Sequence, residues 1–402
     1  MSLNMTNFDA ALKEFYTDDA VQNTVYKDNP FLALLPKNKS WEGDTLPIPI
    51  TYGNPQGRSR TFATAQSNKG NSLHKKFNLT RVKDYSLFSV DNETLKASRS
   101  NRGAFMQALT TEADGALQAG TRNLAIGLYG SGSGKMGRLN NVGVATPIAT
   151  LSEAEDVTNF EVGMSIVLSA ADGGGAVRAG TLTVLEVDRD AGTVTFTGNI
   201  VAGVAAAAIT DYMFVEGDYD LAEAGLEAWL PGTAPTAGDN FFGVDRSADP
   251  TRLAGLRIDG TGLPIEEAFV KGITRTCREG GRPSHLFTTY DKWEELENAL
   301  GSKVVYNTVM SDVGIGFSGI KLASPKGPVT VIADQNCTAD VAYLIQMDMW
   351  KLHSIDEPVD FITTDSLRIL RETSEDGVEG RIGGYRNLGC RAPGFNARIQ
   401  LD

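Results

Sequence analysis

The sequence predicts an α+β fold: a mixed helix-and-strand body that carries a small β-barrel-like insertion and a long two-stranded ribbon. Three observations predict it. Between Gly103 and Tyr129, Phe105, Leu109, Ala113, Leu117, Leu124 and Leu128 recur at spacings near 3.6, the period of one helix face. From Thr146 to Tyr219 the pattern changes to short alternating strands joined by Gly- and Asp-rich turns, in a tract poor in Lys and Arg. From Pro264 onward, helical and strand-like segments alternate to the C-terminus.

Each element follows from its residues. "DDAVQNTVYKDNPFLALLPKN" starts as a short helix with Asp18 or Asp19 as N-cap. Pro30 ends that helix, since the residue before a proline is pushed out of the α region. Phe31, Leu32, Leu34 and Leu35 follow as an apolar plug. "TLPIPIT" alternates like a strand, but Pro47 and Pro49 remove backbone donors and confine it to an edge. "YGNPQG" is a turn signal, and "HKKFNLTRVKDYSLFSV" resumes alternation. The pair reads as a ribbon that is marginal alone in water, so it rests on something outside its own chain or stays a loop.

The helix over 103–129 makes a rod of roughly 37 Å at 1.5 Å per residue. Gly115 and Gly120 lower its propensity and permit close packing of a neighbour. "GMSIVLSA", "AGTLTVLEV" and "GTVTFTGN" are the strands of the insertion, with "DRDAG" as a hairpin loop. "LPIEEAFVKGITRTCREGG" is a helix with Pro264 at its start, Glu266 and Glu267 in its first turn and Gly280 at its end. "SHLFTT" is a strand, "YDKWEELENALG" a helix, and "GPVTVIADQN" and "DVAYLIQMDMWKL" are further strands. The tail reads as strand, acidic hairpin tip, strand, proline turn and final strand.

The totals exclude several functions. The chain has 402 residues, and its stretch richest in apolar residues, "VAGVAAAAI", is far shorter than the roughly 20 residues a membrane span needs. The N-terminus lacks a basic region followed by an apolar core, so no secretory signal is expected. Cys277, Cys337 and Cys390 are distant from one another and odd in number, which suits buried thiols in a reducing compartment rather than a disulfide framework or zinc site. The net charge of −13 argues against sequence-reading contacts to nucleic acid.

No motif carries chemistry. "GSGSGKMG" resembles a phosphate-binding loop, but only three residues separate Gly130 from Gly134, Met136 stands where a hydroxyl would hold magnesium, and a helix precedes the loop. His74, His285 and His353 have no ligand partners at metal spacing. Asp188 and Asp190 lack the frame of a calcium loop and read as turn formers. No catalytic, cofactor-binding or metal residues are therefore expected.

Charge does suggest association. The ribbon carries Arg58, Arg60, Lys69, Lys75, Lys76, Arg81 and Lys83 against Asp44 and Asp84. The tail hairpin carries Glu372, Glu375, Asp376 and Glu379 against Arg371 and Arg381. Opposite patches on projecting elements suit pairing between copies of one chain; solvated faces would look the same by charge alone.

The order of parts resembles the major capsid proteins of tailed bacteriophages, the Hong-Kong-97-type fold that encapsulin compartments share. "VQNTVYKDNPFLALLPK" looks like the N-arm of that family, "SHLFTTYDKWEELENALG" like its axial-domain strand and helix, and "DVAYLIQMDMWKLHSID" and "NLGCRAPGFNARI" like its closing strands, with Pro393 in the turn before the last. The resemblance implies an N-arm over 1–40, an E-loop over 41–83, a P-domain with the spine helix over 84–130 and 357–402, an A-domain over 131–145 and 220–356, and an inserted β module over 146–219. It implies a non-enzymatic subunit that forms hexamers and pentamers of an icosahedral head around double-stranded DNA, located in the virion and assembled in the bacterial host cytoplasm. The E-loop would lie as a strap on an adjoining subunit.

On this reading the candidate inter-subunit residues are Phe31, Leu32, Arg58, Arg60, Phe62, Lys69, Lys75, Lys76, Glu372, Glu375, Asp376 and Glu379. The partners implied are further copies of the chain, a separate scaffolding protein, a portal and a decoration protein, with packaged DNA held without sequence-specific contacts and no membrane. Lys69, Lys75 and Lys76 lie in the element that some members crosslink, but no partner Asn or activating Glu is identifiable, so no crosslink is expected. An encapsulin-type nanocompartment shell is the alternative, and an enzyme binding nucleotide at the Gly130 loop a more distant one.

Overall fold

The computed structural model describes residues 29–91, 102–140, 143–300, 306–310, 316–363, 368–371 and 377–402. Two sheets, a barrel and a projecting ribbon account for most of its strands. The first sheet is built on one long strand, Gly377–Cys390, which pairs antiparallel with Val82–Asp91, Trp350–Ser354, Asp360–Phe361 and Ile369–Arg371. The short strand Lys37–Asn38 adds in parallel to Trp350–Ser354.

The long helix, Arg102–Gly127, spans 26 residues, as its apolar period predicts. Ala113, Leu117 and Leu124 are buried in one core with Phe88, Val90 and Ile382 of the sheet. Gly120 lies at a close approach: a Cβ there would sit 3.4 Å from both Ser86 and Val359. Gly115 has open space around its Cα, so of Gly115 and Gly120 only Gly120 serves close packing.

The second sheet has seven strands in the order Leu256–Asp259, Ala397–Gln400, Val341–Ile345, His285–Thr288, Val329–Ala333, Gly316–Leu322 and Tyr306–Met310. Helix Ile265–Arg278 buries Ile265, Ala268, Phe269, Ile273 and Cys277 in the core of this sheet. Its acidic first turn and Gly280 at φ 105° match the sequence signals, and Arg275 and Arg278 add a basic last turn. Helix Tyr290–Leu300 adds Leu296 to the same core.

The insertion is a closed six-stranded barrel in the order Lys135–Arg138, Tyr212–Val215, Ser165–Ser169, Leu182–Asp188, Thr193–Phe196 and Ile148–Thr150. Closure comes from the Leu139–Leu151 bridge, with Asn140 N donating to Thr150 O at 2.9 Å and Ser152 N to Arg138 O at 2.8 Å. Closing the sheet removes free edges. Leu139, Phe160, Leu168, Val194 and Met213 fill the interior. Asp188 Oδ1 accepts from the amides of Asp190 and Ala191, the turn role expected of it.

The structure corrects four sequence expectations. Pro30 starts a helix, Pro30–Leu34, at its first position, where a missing N–H costs nothing; the helix expected before it lies outside the described residues. The barrel begins at Lys135, not at 146, because Lys135–Arg138 is a barrel strand too short to show alternation. "DVAYLIQMDMWKL" is two strands rather than one. A one-turn helix, Met347–Met349, carries the chain from the second sheet to the first. The cause is long-range: buried Asn396 accepts from Gln346 N at 2.8 Å and from Trp350 Nε1 at 2.9 Å. For the same reason the expected boundary at 356/357 does not divide the sheets. Trp350–Ser354 belongs to the first and Ala397–Gln400 to the second.

Candidate assembly surface

The ribbon is strand Thr45–Gly53 paired only with Leu73–Thr80, in register from Thr45 opposite Thr80 to Gly53 opposite Leu73. Pro47 and Pro49 sit on this two-stranded element, as their missing donors require. Its two ends differ. At the base, Ile48, Phe77 and Leu79 are buried in the first core. Phe77 meets Trp229 edge-on at 5.0 Å, and Asn78 N donates to Phe242 O at 2.9 Å. The chain therefore buries half of the ribbon in its own body, a correction to the expectation that the whole of it lacks internal support. The alternation read as unbroken from His74 to Val90 is interrupted at Arg81, where the chain passes from ribbon to first sheet.

The tip, residues 54–72, contains no acid. It folds back through a one-and-a-half-turn helix, Phe62–Ser67, that buries no residue and that no sequence signal announces. Phe62 is 82% exposed. Arg58, Arg60 and Lys69 are also exposed. Lys76 is exposed on the strand, whereas Lys75 is half-buried and close enough to Asp245 to help hold that carboxyl below its usual range, after the Ser247 hydroxyl and amide.

Two expected contact residues prove unavailable. Phe31 and Leu32 are each 1% exposed. Phe31 packs on Tyr129 at 5.4 Å and on Phe287 at 5.1 Å, and its amide donates to buried Asp334 at 3.2 Å. Tyr129 donates its hydroxyl to the same carboxylate at 2.9 Å. An apolar plug beside a proline can fill the chain's own core as well as a neighbour's, and here it does the former.

Of the acidic patch, Glu372, Glu375 and Asp376 lie outside the described residues. Glu379 is half-buried and ion-paired to Arg381 of its own strand, so a neighbour would have to compete for it.

A surface that the sequence reading missed lies on the first sheet, opposite the long helix. Tyr85 and Leu87 are exposed there, Leu87 to 58%. Tyr85 meets Tyr385 of the adjacent strand edge-on at 6.2 Å. The signal was present: "DYSLFSV" places apolar residues on both strand phases, Tyr85 and Leu87 on one and Phe88 and Val90 on the other.

The Gly130 loop closes one side of a cleft whose other lining includes Asp84, Asp218, Glu223 and the end of the long helix. Arg386, wholly buried, pairs with two of the lining carboxylates. Its guanidinium reaches Glu223 at 2.8 Å, pairs with Asp84, and donates to Pro358 O at 2.6 Å. Burial raises the Glu223 carboxyl, with Arg386 opposing the rise. Burial, then the charges of Asp84 and Glu223, push Asp218 up to about 6. The lining thus sets Asp84, Asp218 and Glu223 beside Lys83 and Lys135, with Arg386 pairing two of the carboxylates.

Cys277, Cys337 and Cys390 are buried and unpaired. No group of three or more His, Cys, Asp or Glu side chains among the described residues suits a metal ion. No helix among the described residues is long and apolar enough to cross a membrane.

No family model and no curated protein matches the chain. Solved structures similar to it over most of their length include a chain of the cyanophage A-1(L) capsid asymmetric unit, at 14% identity with 94% of each chain covered and a TM-score of 0.48. A structure from Mycobacterium phage Ogopogo is similar at 9% identity over 94% of this chain and 93% of that one, with a TM-score of 0.42. A virus-like particle from Pyrococcus furiosus is similar at 8% identity over 95% and 96%, with a TM-score of 0.39.

Proposed function

We propose that this chain is a major capsid protein, a non-enzymatic subunit that tiles with copies of itself into the icosahedral head of a tailed phage around double-stranded DNA. One observation carries the reading. The ribbon is clamped at its base by Phe77 and Trp229, yet it projects a tip that is basic, acid-free and led by an 82% exposed Phe62. Holding such a tip away from the body exposes apolar surface and unpaired charge, which a soluble monomer gains nothing by doing. A second copy supplies what the tip lacks, because the rest of the chain is acidic.

On this reading the ribbon is the strap, the long helix with the first sheet forms the peripheral region, and the second sheet the axial region about which rings of copies close. A scaffolding protein, a portal and a decoration protein are the partners expected. The charge of −13 suits a wall that must not grip the phosphates it encloses.

Negative-stain imaging of the purified chain, followed by cryo-microscopy of any shells, tests the proposal. Closed shells with each tip seated on a neighbour support it. A monodisperse single-copy particle under every solution condition overturns it. Shells that purify with protein cargo and no DNA point to the nanocompartment alternative instead.

A further inference from the structure

On the exposed face of the first sheet two tyrosines meet across strands. Val82–Asp91 and Gly377–Cys390 run antiparallel, with Tyr85 opposite Gly383 and Lys83 opposite Tyr385. Tyr85 and Tyr385 are therefore diagonal neighbours on one face, a separation that aromatic side chains span. Gly383 leaves the Tyr85 ring room to lie over its strand: a Cβ there would come within 3.1 Å of that ring. Tyr85 donates its hydroxyl to that of Tyr385 at 3.4 Å, and the rings meet edge-on with centroids 6.2 Å apart. On the other face of the same strands the neighbouring residues, Asp84 and Arg386, form an ion pair that holds the two backbones in this register.

Proximity alone does not make a pair of phenols reactive; access does. Tyr129 and Tyr343 also bring their rings together, with centroids 6.0 Å apart. Both are buried, and Tyr129 gives its hydroxyl to Asp334. An oxidant in solution does not reach them, and close packing leaves neither ring room to turn. Tyr85 is half exposed and Tyr385 half-buried, so both are open to solvent. The three cysteines are buried and unpaired, so no disulfide ties the chain.

We propose that Tyr85 and Tyr385 are an oxidative modification site, joined into one dityrosine within a single copy by peroxide acting through a one-electron oxidant such as a haem peroxidase. Each phenol gives up one electron and its hydroxyl proton and becomes a phenoxyl radical, whose unpaired electron spreads to the ring carbons beside the oxygen. The two radicals pair to form a carbon–carbon bond between such carbons. The hydrogen on each bonded carbon then leaves as a proton while each oxygen takes one up, which restores both rings and both hydroxyls. The two electrons and two protons released in all reduce one peroxide to two waters. The new bond fastens the strand that follows the ribbon to one 300 residues further along the chain. It needs only one copy, and it stands whether or not copies tile into a shell.

Peptide mapping after oxidation tests it. A mixture of isotope-labelled and unlabelled chain is treated with peroxidase and peroxide at low protein concentration, then digested with trypsin. Tyr85 is the one tyrosine of the tryptic peptide 84–96, and Tyr385 the one tyrosine of 382–386. The expected product is these two peptides joined, two hydrogen masses lighter than their sum, fluorescent as dityrosine and with both halves from the same labelling pool. Tyr85→Phe, a change at a half-exposed side chain, should fold as the wild type does and lose the joined peptide. The oxidised wild type should also need more denaturant to unfold than the oxidised variant, because the bond closes a long loop of the unfolded chain. Oxidised wild type that yields no 84–96 to 382–386 product overturns the site. So does a product whose halves always come from different copies.

Discussion

Phe77 lies edge-on to Trp229 with ring centroids 5.0 Å apart, joining the ribbon's base to the segment that leaves the barrel. Fifteen residues earlier in the same ribbon, Phe62 touches no core at all. The two phenylalanines divide stability from association. Phe77→Ala removes a fully buried ring and should cost about 3–5 kcal/mol of folding stability. Phe62→Ala should leave the stability of the single chain within about 0.5 kcal/mol, yet reduce shell yield. Chemical denaturation and sedimentation velocity on both variants read the two effects separately. A Phe62→Ala chain that assembles as well as the wild type would remove the tip from the contact.

The basic tip makes a second prediction. Arg58→Glu with Arg60→Glu reverses two exposed charges that have no acid within residues 54–72. Folding should be unaffected, because solvated charges contribute little to stability. Assembly should slow, and the wild-type rate should fall with added salt as the attraction between copies is screened. Light scattering across a salt series checks both; a wild-type rate indifferent to salt would speak against steering by these arginines.

Arg386 makes the third. It pairs with the buried Glu223, with Asp84 close by. Arg386→Met leaves two carboxylates facing an apolar side chain, and breaking such a buried pair costs about 3–5 kcal/mol. The loss should depend on pH. Glu223 is already raised by burial, and without Arg386 it rises further. A group whose folded value is raised stabilises most below its unfolded value and loses that contribution as pH climbs through the folded one. The variant should therefore lose more stability than the wild type between pH 5 and pH 8. Denaturation midpoints at the two pH values test this, and an equal loss at both would mean that Glu223 does not take up the missing charge.

The elements that local chemistry determines were legible in the sequence. The helix over 102–127 announced itself by the spacing of Leu117, Leu124 and Leu128, and helix 265–278 by Pro264, its acidic first turn and Gly280. Prolines 47 and 49 confined their strand to a two-stranded edge, as found. What stayed hidden was set at a distance. Asn396 breaks the strand before Trp350 through bonds spanning about fifty residues, which no window of sequence contains. Phe31 and Leu32 are apolar whichever molecule buries them, so pattern alone could not tell a core plug from a contact. The exposed tip was legible in its charges.

Histidine gives the last prediction. His353 lies on strand Trp350–Ser354, edge-on to Trp41 at 6.5 Å and against Gly389, where a Cβ would come within 2.8 Å of its ring. Burial, with Lys351 and Arg391 adding repulsion, pushes its pKa down to about 4; burial alone does the same to His285. A depressed folded value means that the unfolded chain binds the proton first. The stability that each neutral imidazole contributes is complete above about pH 6.5, declines as pH falls toward 4, and is constant below that. At about 1.4 kcal/mol per unit, each histidine accounts for roughly 3 kcal/mol across this window. The carboxyls of Glu155, Asp156 and Asp218 have the opposite slope, since their raised values favour the folded chain at low pH. The wild-type curve is therefore a balance, and the contribution of His353 appears only by difference. His353→Gln removes one acid-labile group and leaves the carboxyls alone. Its stability, measured by denaturant unfolding at half-unit steps from pH 7 to pH 4, should gain on the wild type by about 3 kcal/mol from one end to the other. A constant offset between the two curves would show that His353 is already protonated, or already free to be, in the folded chain.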